Sequence, residues 1–307
     1  MRSALLLLLV SCGAPQSGGD FDADAVIDTH THFWNPQRPV PPGRPKAVPF
    51  SNGKVILPGD YIGPAKGAGI SGTVVVEASG WLEDNEWVLE LARTNPFILG
   101  VIGNLSEVLG TPRFDAAFAR LCENRLFRGI RLARAEDLAR PEWRAHLQAL
   151  SDKGLTVDLN VNGPTALRAA AANAALFPKL KIVLDHSAYI EFKGSPRAEW
   201  SEAIRAAAAA PNLYCKVSRF QEQAGVKPAP VDIEPYRPVL DLLWDAFGED
   251  RLCFGSNWPL SDSAGSLADA VAIARAFVRS KGGRATEKFF HANAMAVYGL
   301  KPRDSHH

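Results

Sequence analysis

The chain has 307 residues, with 34 Lys and Arg against 33 Asp and Glu for a net charge of +1, 47% hydrophobic residues and 22% charged ones. That length and apolar content can bury a large core, as one α/β barrel or two ordinary domains, and exclude disorder as the organising state. A charge near zero with no local basic patch excludes nucleic acid as a partner and leaves a small molecule as the expected ligand, while 4 cysteines over this length exclude a disulfide scaffold.

Residues 1–12 begin with one positive charge at Arg2, continue through the apolar run Ala4 to Val10 and end in small residues. This order is that of a secretory signal, and the run is far shorter than the roughly 20 residues that span a bilayer. Leu9-Val10-Ser11-Cys12 resembles the bacterial lipobox, which implies lipidation of Cys12, passage across the inner membrane and a lipid-anchored, periplasmic protein. An ordinary signal peptide cleaved after Cys12-Gly13-Ala14 is the alternative. Residues 13–25, rich in Gly, Ser, Gln and Asp, read as a tether.

From Val26 onward β-type apolar runs alternate with helical segments. Strands are predicted at Val26–Trp34, Thr73–Ala78, Ile98–Leu105, Phe127–Ala133, Leu155–Val161, Lys181–Ser187, Leu213–Ser218 and Leu252–Trp258. Helices are predicted at Asn85–Thr94, Arg113–Glu123, Glu142–Lys153, Thr165–Leu176, Glu199–Ala209, Tyr236–Phe247 and Ser266–Lys281. Residues 35–65, rich in proline, read as a long loop that caps the mouth. Strands in strict alternation with helices point to a single-domain (β/α)8 TIM barrel over residues 26–300, with 301–307 as a tail; a doubly wound open sheet shares the same local grammar.

Chemistry in such a barrel sits at the C-terminal ends of the strands. The polar residues there are His30 and His32, Glu77, Asn104, Arg131, Asn160, His186, Lys216 and Asn257. Side-chain alternation predicts that Asp28, His30 and His32 share one face of the first strand, so the two imidazoles can share a metal ion or a substrate carbonyl. His186 offers a third from another strand. A lone strand-end histidine is more often a hydrogen-bonded structural residue, and three converging ones shift that balance. Trp34, Trp81 and Trp258 lie near strand ends, where they could stack on a sugar ring, whereas Cys122, Cys215 and Cys253 sit in apolar segments as small core residues.

These residues resemble the amidohydrolase-related TIM-barrel family, in the branch of metal-dependent hydrolases that contains sugar-lactone lactonases and 2-pyrone-4,6-dicarboxylate lactonase. The resemblance is carried, in order, by Val26-Ile27-Asp28-Thr29-His30-Thr31-His32-Phe33-Trp34, Phe127-Arg128-Gly129-Ile130-Arg131, Val183-Leu184-Asp185-His186, Tyr214-Cys215-Lys216-Val217-Ser218 and Phe254-Gly255-Ser256-Asn257-Trp258-Pro259, closing with Val297-Tyr298-Gly299-Leu300. It implies that His30, His32 and His186 bind a metal or the substrate carbonyl and that Arg131 and Lys216 hold anionic or hydroxyl groups. The position of Asn257 would be the general base, where family members carry Asp. A carboxamide has no comparable basicity. Ser187-Ala188-Tyr189 also departs from the Gly-Lys-Pro that often follows this histidine in lactonases.

Three routes follow from the missing carboxylate. A zinc ion on the three histidines could make the hydroxide, with Asn257 only orienting it. Without metal, a carboxylate at Glu77, Asp158, Glu222 or Asp262 could act as base; Asp158 can equally be a buried partner of Lys216 or Arg131. In the third route the protein binds its ligand without turnover. The reading is a hydrolase of a cyclic ester, a sugar-type lactone, with a metal-dependent decarboxylase and a lipid-anchored binding protein as alternatives.

Overall fold

The structure, a computed structural model, describes residues 25–43 and 53–303. The predicted leader, Cys12, most of the tether and residues 304–307 lie outside them.

Eight parallel strands run in the order β1-β2-β3-β4-β5-β6-β7-β8. They are β1 Val26–Thr31, β2 Ile70–Val76, β3 Ile98–Gly103, β4 Phe127–Leu132, β5 Thr156–Leu159, β6 Lys181–Leu184, β7 Leu213–Val217 and β8 Leu252–Phe254. The chain after β8 closes the ring onto β1. His32 N donates to Trp258 O at 2.9 Å, Asn257 N donates to His30 O at 2.9 Å, and Thr31 bridges Trp258 in parallel. A Cβ on Gly255 would lie 3.0 Å from His30 Cβ and 3.2 Å from Ser218 Cβ, so the close approach at this closure favours glycine. The open-sheet alternative is thereby set aside. The observed strands stop two or more residues short of several predicted ends, so that His32, Glu77, Asn104, Asn160, His186 and Asn257 lie just beyond the strands, while His30, Arg131 and Lys216 lie within them.

The outer layer comprises α1 Pro58–Gly67, α2 Leu82–Thr94, α3 Phe114–Cys122, α4 Arg144–Asp152, α5 Pro164–Ala174, α6 Ala198–Ala208, α7 Arg237–Phe247 and α8 Leu267–Arg279. Helix α1 falls in the region predicted to be loop. Pro58 at its first turn is compatible with helix, Leu57 N is capped by Asp60 Oδ2 at 2.8 Å, and Tyr61 and Ala65 are fully buried. Burial of one face therefore overrides the cost of the interior Pro64, which sequence propensity alone counts against a helix. Most of the core lies between strands and helices. A second apolar cluster, with Ile27, Val74, Val76, Ile102 and Val183, fills the barrel floor against Ala294, Val297 and Tyr298 of the closing helix (Asn293–Tyr298).

Strict alternation fails in β1. Between Asp28 and Thr31 the register against β2 shifts, three steps on β1 facing two on β2. The bulge separates Asp28 from the histidines. The Asp28 carboxylate accepts from Tyr61 Oη at 2.7 Å, Ser256 N at 2.8 Å and Ser256 Oγ at 2.5 Å, tying α1 and the segment after β8 to β1 instead of facing the cavity.

Candidate active site

The mouth of the barrel holds a cavity of about 150 Å³ lined by His32, Trp34, Glu77, Arg131, Asn160, His186, Tyr189, Arg219 and Asn257, among others. That is well below the ~300–1,000 Å³ of drug-sized sites, so it suits a single small ring. A wider groove beside the mouth, between α1 and the segment after β8, contains Trp258 and Asp262 but none of the imidazoles. Of the three tryptophans considered for sugar stacking, Trp34 faces the cavity, parallel to His32 at 5.6 Å. Trp258 packs on Phe33 and Tyr61, and Trp81 lines a separate groove with Arg38.

The histidines converge. The His30 and His186 rings are 4.4 Å apart and His30 Nε2 is 3.2 Å from His32 Nε2. His32 Nδ1 lies 2.8 Å from Val76 O and 3.0 Å from Glu77 O, both acceptors, so Nδ1 carries the proton and Nε2 keeps its lone pair. Arg131 Nη2, which can only donate, lies 3.3 Å from His186 Nε2; the His186 proton therefore sits on Nδ1, 3.1 Å from Ser218 Oγ. His30 has two satisfied arrangements. Either Lys216 Nζ donates to Nδ1 at 3.2 Å and Nε2 donates to His32, or Nδ1 donates toward Asp185 Oδ1 at 3.3 Å and leaves the His30 Nε2 lone pair open, where a cation would satisfy it. Burial lowers the basicity of all three rings, His32 to about 4, and the positive charges of Lys216 and Arg131 lower it further at His30 and His32. They are neutral at pH 7.

Beneath this layer lies a buried ion cluster. Lys216 Nζ pairs with Asp158 Oδ2 and lies 3.1 Å from Asp185 Oδ1; Tyr298 Oη donates to Asp158 Oδ1 at 3.1 Å. Burial alone would raise Asp185, but Lys216 and Arg131 outweigh it and hold the carboxyl well below the usual range. Burial pushes Asp158 up to about 6 against the pull of Lys216, and the two aspartates outweigh burial to keep Lys216 charged. Both Asp158 oxygens are committed and the residue is fully buried below the cavity, so it is no base: it holds Lys216. Arg131 bridges Asp185 at 2.8 Å and Glu77 at 3.2 Å, with Asn104 donating to Glu77 at 2.6 Å. Its guanidinium is thus both a structural strut and a cavity donor.

Backbone strain gathers at the same rim. His186, Ser187, Ala188 and Tyr189 all have φ between 52° and 62°, one left-handed turn directly after β6. At roughly 1–2 kcal/mol per residue this costs on the order of 4–8 kcal/mol, which the bonds of His186 to Ser218 and Arg131 help to offset. The turn swings His186 and Tyr189 into edge-to-face contact at 5.2 Å. Arg219 and Asn257 also have positive φ. Asp185, Tyr189 and Arg219 are not singled out as site residues by the sequence; each directly adjoins or closely follows a strand end, which is the signal that could mark them. Asn160 Oδ1, Arg219 Nε and Asn257 Oδ1 are buried without hydrogen-bond partners, so three residues that line the cavity carry unspent hydrogen-bonding capacity.

A family model, the amidohydrolase family, matches residues 27–300. The chain belongs to the amidohydrolase family. It is 32% identical over 295 residues to an L-fucono-1,5-lactonase of Burkholderia ambifaria, covering 92% of this chain and 98% of that one. Its fold matches a zinc-bound crystal structure of an amidohydrolase from Burkholderia multivorans with a TM-score of 0.78, at 23% identity over 90% of this chain and 99% of the other. A putative 2-pyrone-4,6-dicarboxylic acid hydrolase from Pseudomonas putida shares the fold with a TM-score of 0.69, at 22% identity over 89% and 97% of the two chains.

Among the described residues of this amidohydrolase, His30, Asp185 and His186 present donor atoms within 4.8 Å of one another. Two neutral imidazoles and a carboxylate fit a divalent ion of the zinc class. Lys216 and Arg131 face the same donors, so such an ion competes with resident cations. His32, expected as an imidazole of this set, is not in the compact group; its Nε2 adjoins His30.

Proposed function

We propose that the protein hydrolyses a small lactone of the sugar type at the barrel mouth. The convergence of neutral imidazoles and a fixed guanidinium on one small cavity carries this reading, and the 32% identity to an L-fucono-1,5-lactonase supports it. Arg131, clamped by Asp185 and Glu77, keeps its charge and its orientation; Nη2 is the donor that can stabilise the oxyanion formed when water attacks the ester carbonyl. Trp34 offers a flat apolar face to the ring, and Asn160 Oδ1 and Arg219 Nε offer one acceptor and one donor to ring substituents. The proton released by water passes to Nε2 of His32, the imidazole outside the metal-binding set, and from there to the ring oxygen as the C–O bond breaks. His30, Asp185 and His186 would hold a zinc-class ion, which when bound supplies Lewis acidity to the carbonyl and the water.

The test is a panel of aldono-1,4- and 1,5-lactones with the purified protein, followed by acid release, with and without added zinc. Turnover of at least one member is expected. Binding without hydrolysis across the panel refutes the reading in favour of a ligand-binding role, and carbon dioxide release from a carboxylated substrate would favour decarboxylation. We further infer, from residues 1–12 alone, secretion and anchoring through a lipidated Cys12 in the periplasm. Metabolic labelling with a radioactive fatty acid checks it, since Cys12→Ser should abolish the label.

A further inference from the structure

Asn257, where the family resemblance leads one to expect a carboxylate, has a carboxylate beside it. Its Nδ2 donates to Glu222 Oε1 at 2.7 Å, across from the short turn Glu222–Ala224 that follows β7. The Asn257 backbone is pinned as well, by its N–H bond to His30 O at 2.9 Å and by a left-handed φ of 71° that asparagine tolerates. A carboxylate can only accept, so the Nδ2 face of the carboxamide must turn to Glu222. The oxygen is then the free end. Asn257 Oδ1 is buried without a partner in a residue that lines the cavity.

We propose that Glu222 is a positioning residue that locks the Asn257 carboxamide with Oδ1 as a fixed acceptor in the cavity, where it accepts a hydrogen bond from the attacking water and aims the water's lone pair at the carbonyl. The pair divides what one aspartate does in the family: Asn257 orients, and the charge stands one layer back. The substitution N257D would not restore the family arrangement, because the introduced carboxyl and that of Glu222 would then face each other at hydrogen-bond distance and share a proton. Burial raises the Glu222 carboxyl, with the Asn257 bond and the charges of Arg219 and Lys227 opposing it.

This inference rests on the proposed lactone hydrolysis, and the experiment separates the two. Wild type, E222Q, E222A, N257D and the double variant N257D/E222Q are compared in the lactone assay and by NMR of side-chain amides, with the Asn257 signal assigned by its loss in N257D. In wild type the Asn257 amide protons are expected to be shifted and protected from exchange, and to lose both properties in E222A. If lactones are turned over, kcat should fall about tenfold or more in E222A with KM within threefold. E222Q, which offers both donor and acceptor, should show a smaller fall. N257D should gain a new limb in its pH profile that disappears in the double variant, where the carboxamide introduced by E222Q donates to the carboxylate introduced by N257D and activity exceeds that of either single variant. An unprotected Asn257 amide in wild type overturns the inference whether or not lactones are hydrolysed. So do E222A kinetics within twofold of wild type, or N257D and E222Q effects that simply multiply. Absence of turnover in wild type with a protected amide overturns only the hydrolytic reading.

Discussion

Replacing Lys216 by methionine tests the ion cluster on which the histidine layer rests. Lys216, Asp158 and Asp185 are each 0% exposed. Asp185 would keep Arg131 at 2.8 Å, so the loss falls on Asp158, left with only the Tyr298 hydroxyl at 3.1 Å. Breaking a buried pair by removing one partner costs about 3–5 kcal/mol. Asp158 can escape part of that by taking up a proton, which sets the expected loss for K216M at about 3 kcal/mol at pH 7. With Lys216 gone the folded Asp158 carboxyl lies above its unfolded value, so the folded state binds the extra proton and the deficit shrinks as pH falls from 7 towards 5. D158N in the same background removes the orphaned charge and should recover about 2 kcal/mol. Urea unfolding followed by tryptophan fluorescence reads all four proteins of the cycle. Coupling between the two sites below about 0.5 kcal/mol, or a pH-independent deficit, would refute the argument that Asp158 serves Lys216.

Three further outcomes follow from the site. His32 is neutral in the fold, lowered from its usual 6.5 to about 4, so the unfolded state gains a proton first on acidification. Stability from this residue is full above about pH 6.5 and falls by about 3 kcal/mol as pH approaches about 4; H32F should flatten that part of the stability curve, and an unchanged curve would contradict it. R131K keeps a charge but cannot span Asp185 and Glu77 together, so kcat should fall by roughly 10²–10³ in the lactone assay, with a fall under threefold arguing against an oxyanion role. G255A places a methyl 3.0 Å from His30 Cβ and 3.2 Å from Ser218 Cβ. It should cost about 1–3 kcal/mol in thermal unfolding and also reduce activity, because it displaces both His30 and the hydroxyl that holds His186.

The strands can be read from the chain because each is a short apolar run bounded by turn residues, and fully buried strands leave that mark whatever they pair with. The rim histidines are legible for the same reason: they follow such runs. Helix α1 is not, since Pro64 and three glycines argue against helix locally and only the burial of Tyr61 and Ala65 argues for it. The side occupied by Asp28 differs from the expected one because alternation assumes an unbroken register, and a bulge leaves no fixed trace in residue type. Arg219 and Tyr189 escape a sequence reading as site residues because their place depends on left-handed turns at non-glycine positions, which local propensity disfavours.

The order of apolar runs and breakers was enough by itself to determine eight strands alternating with helices, with imidazoles, a guanidinium and an ammonium near the strand ends, whereas closure into a barrel instead of an open sheet was decided by the contacts of the segment after β8 with β1. Packing is a property of composition and period, and both are written along the chain. What each of those groups does was decided only by the folded ring. Lys216 lies below the cavity with Asp158, Arg131 is strung between Asp185 and Glu77, and Asn257 meets Glu222. Charge and hydrogen-bond energies depend on separations of a few ångströms between residues far apart in sequence, and those separations exist only once the ring is closed.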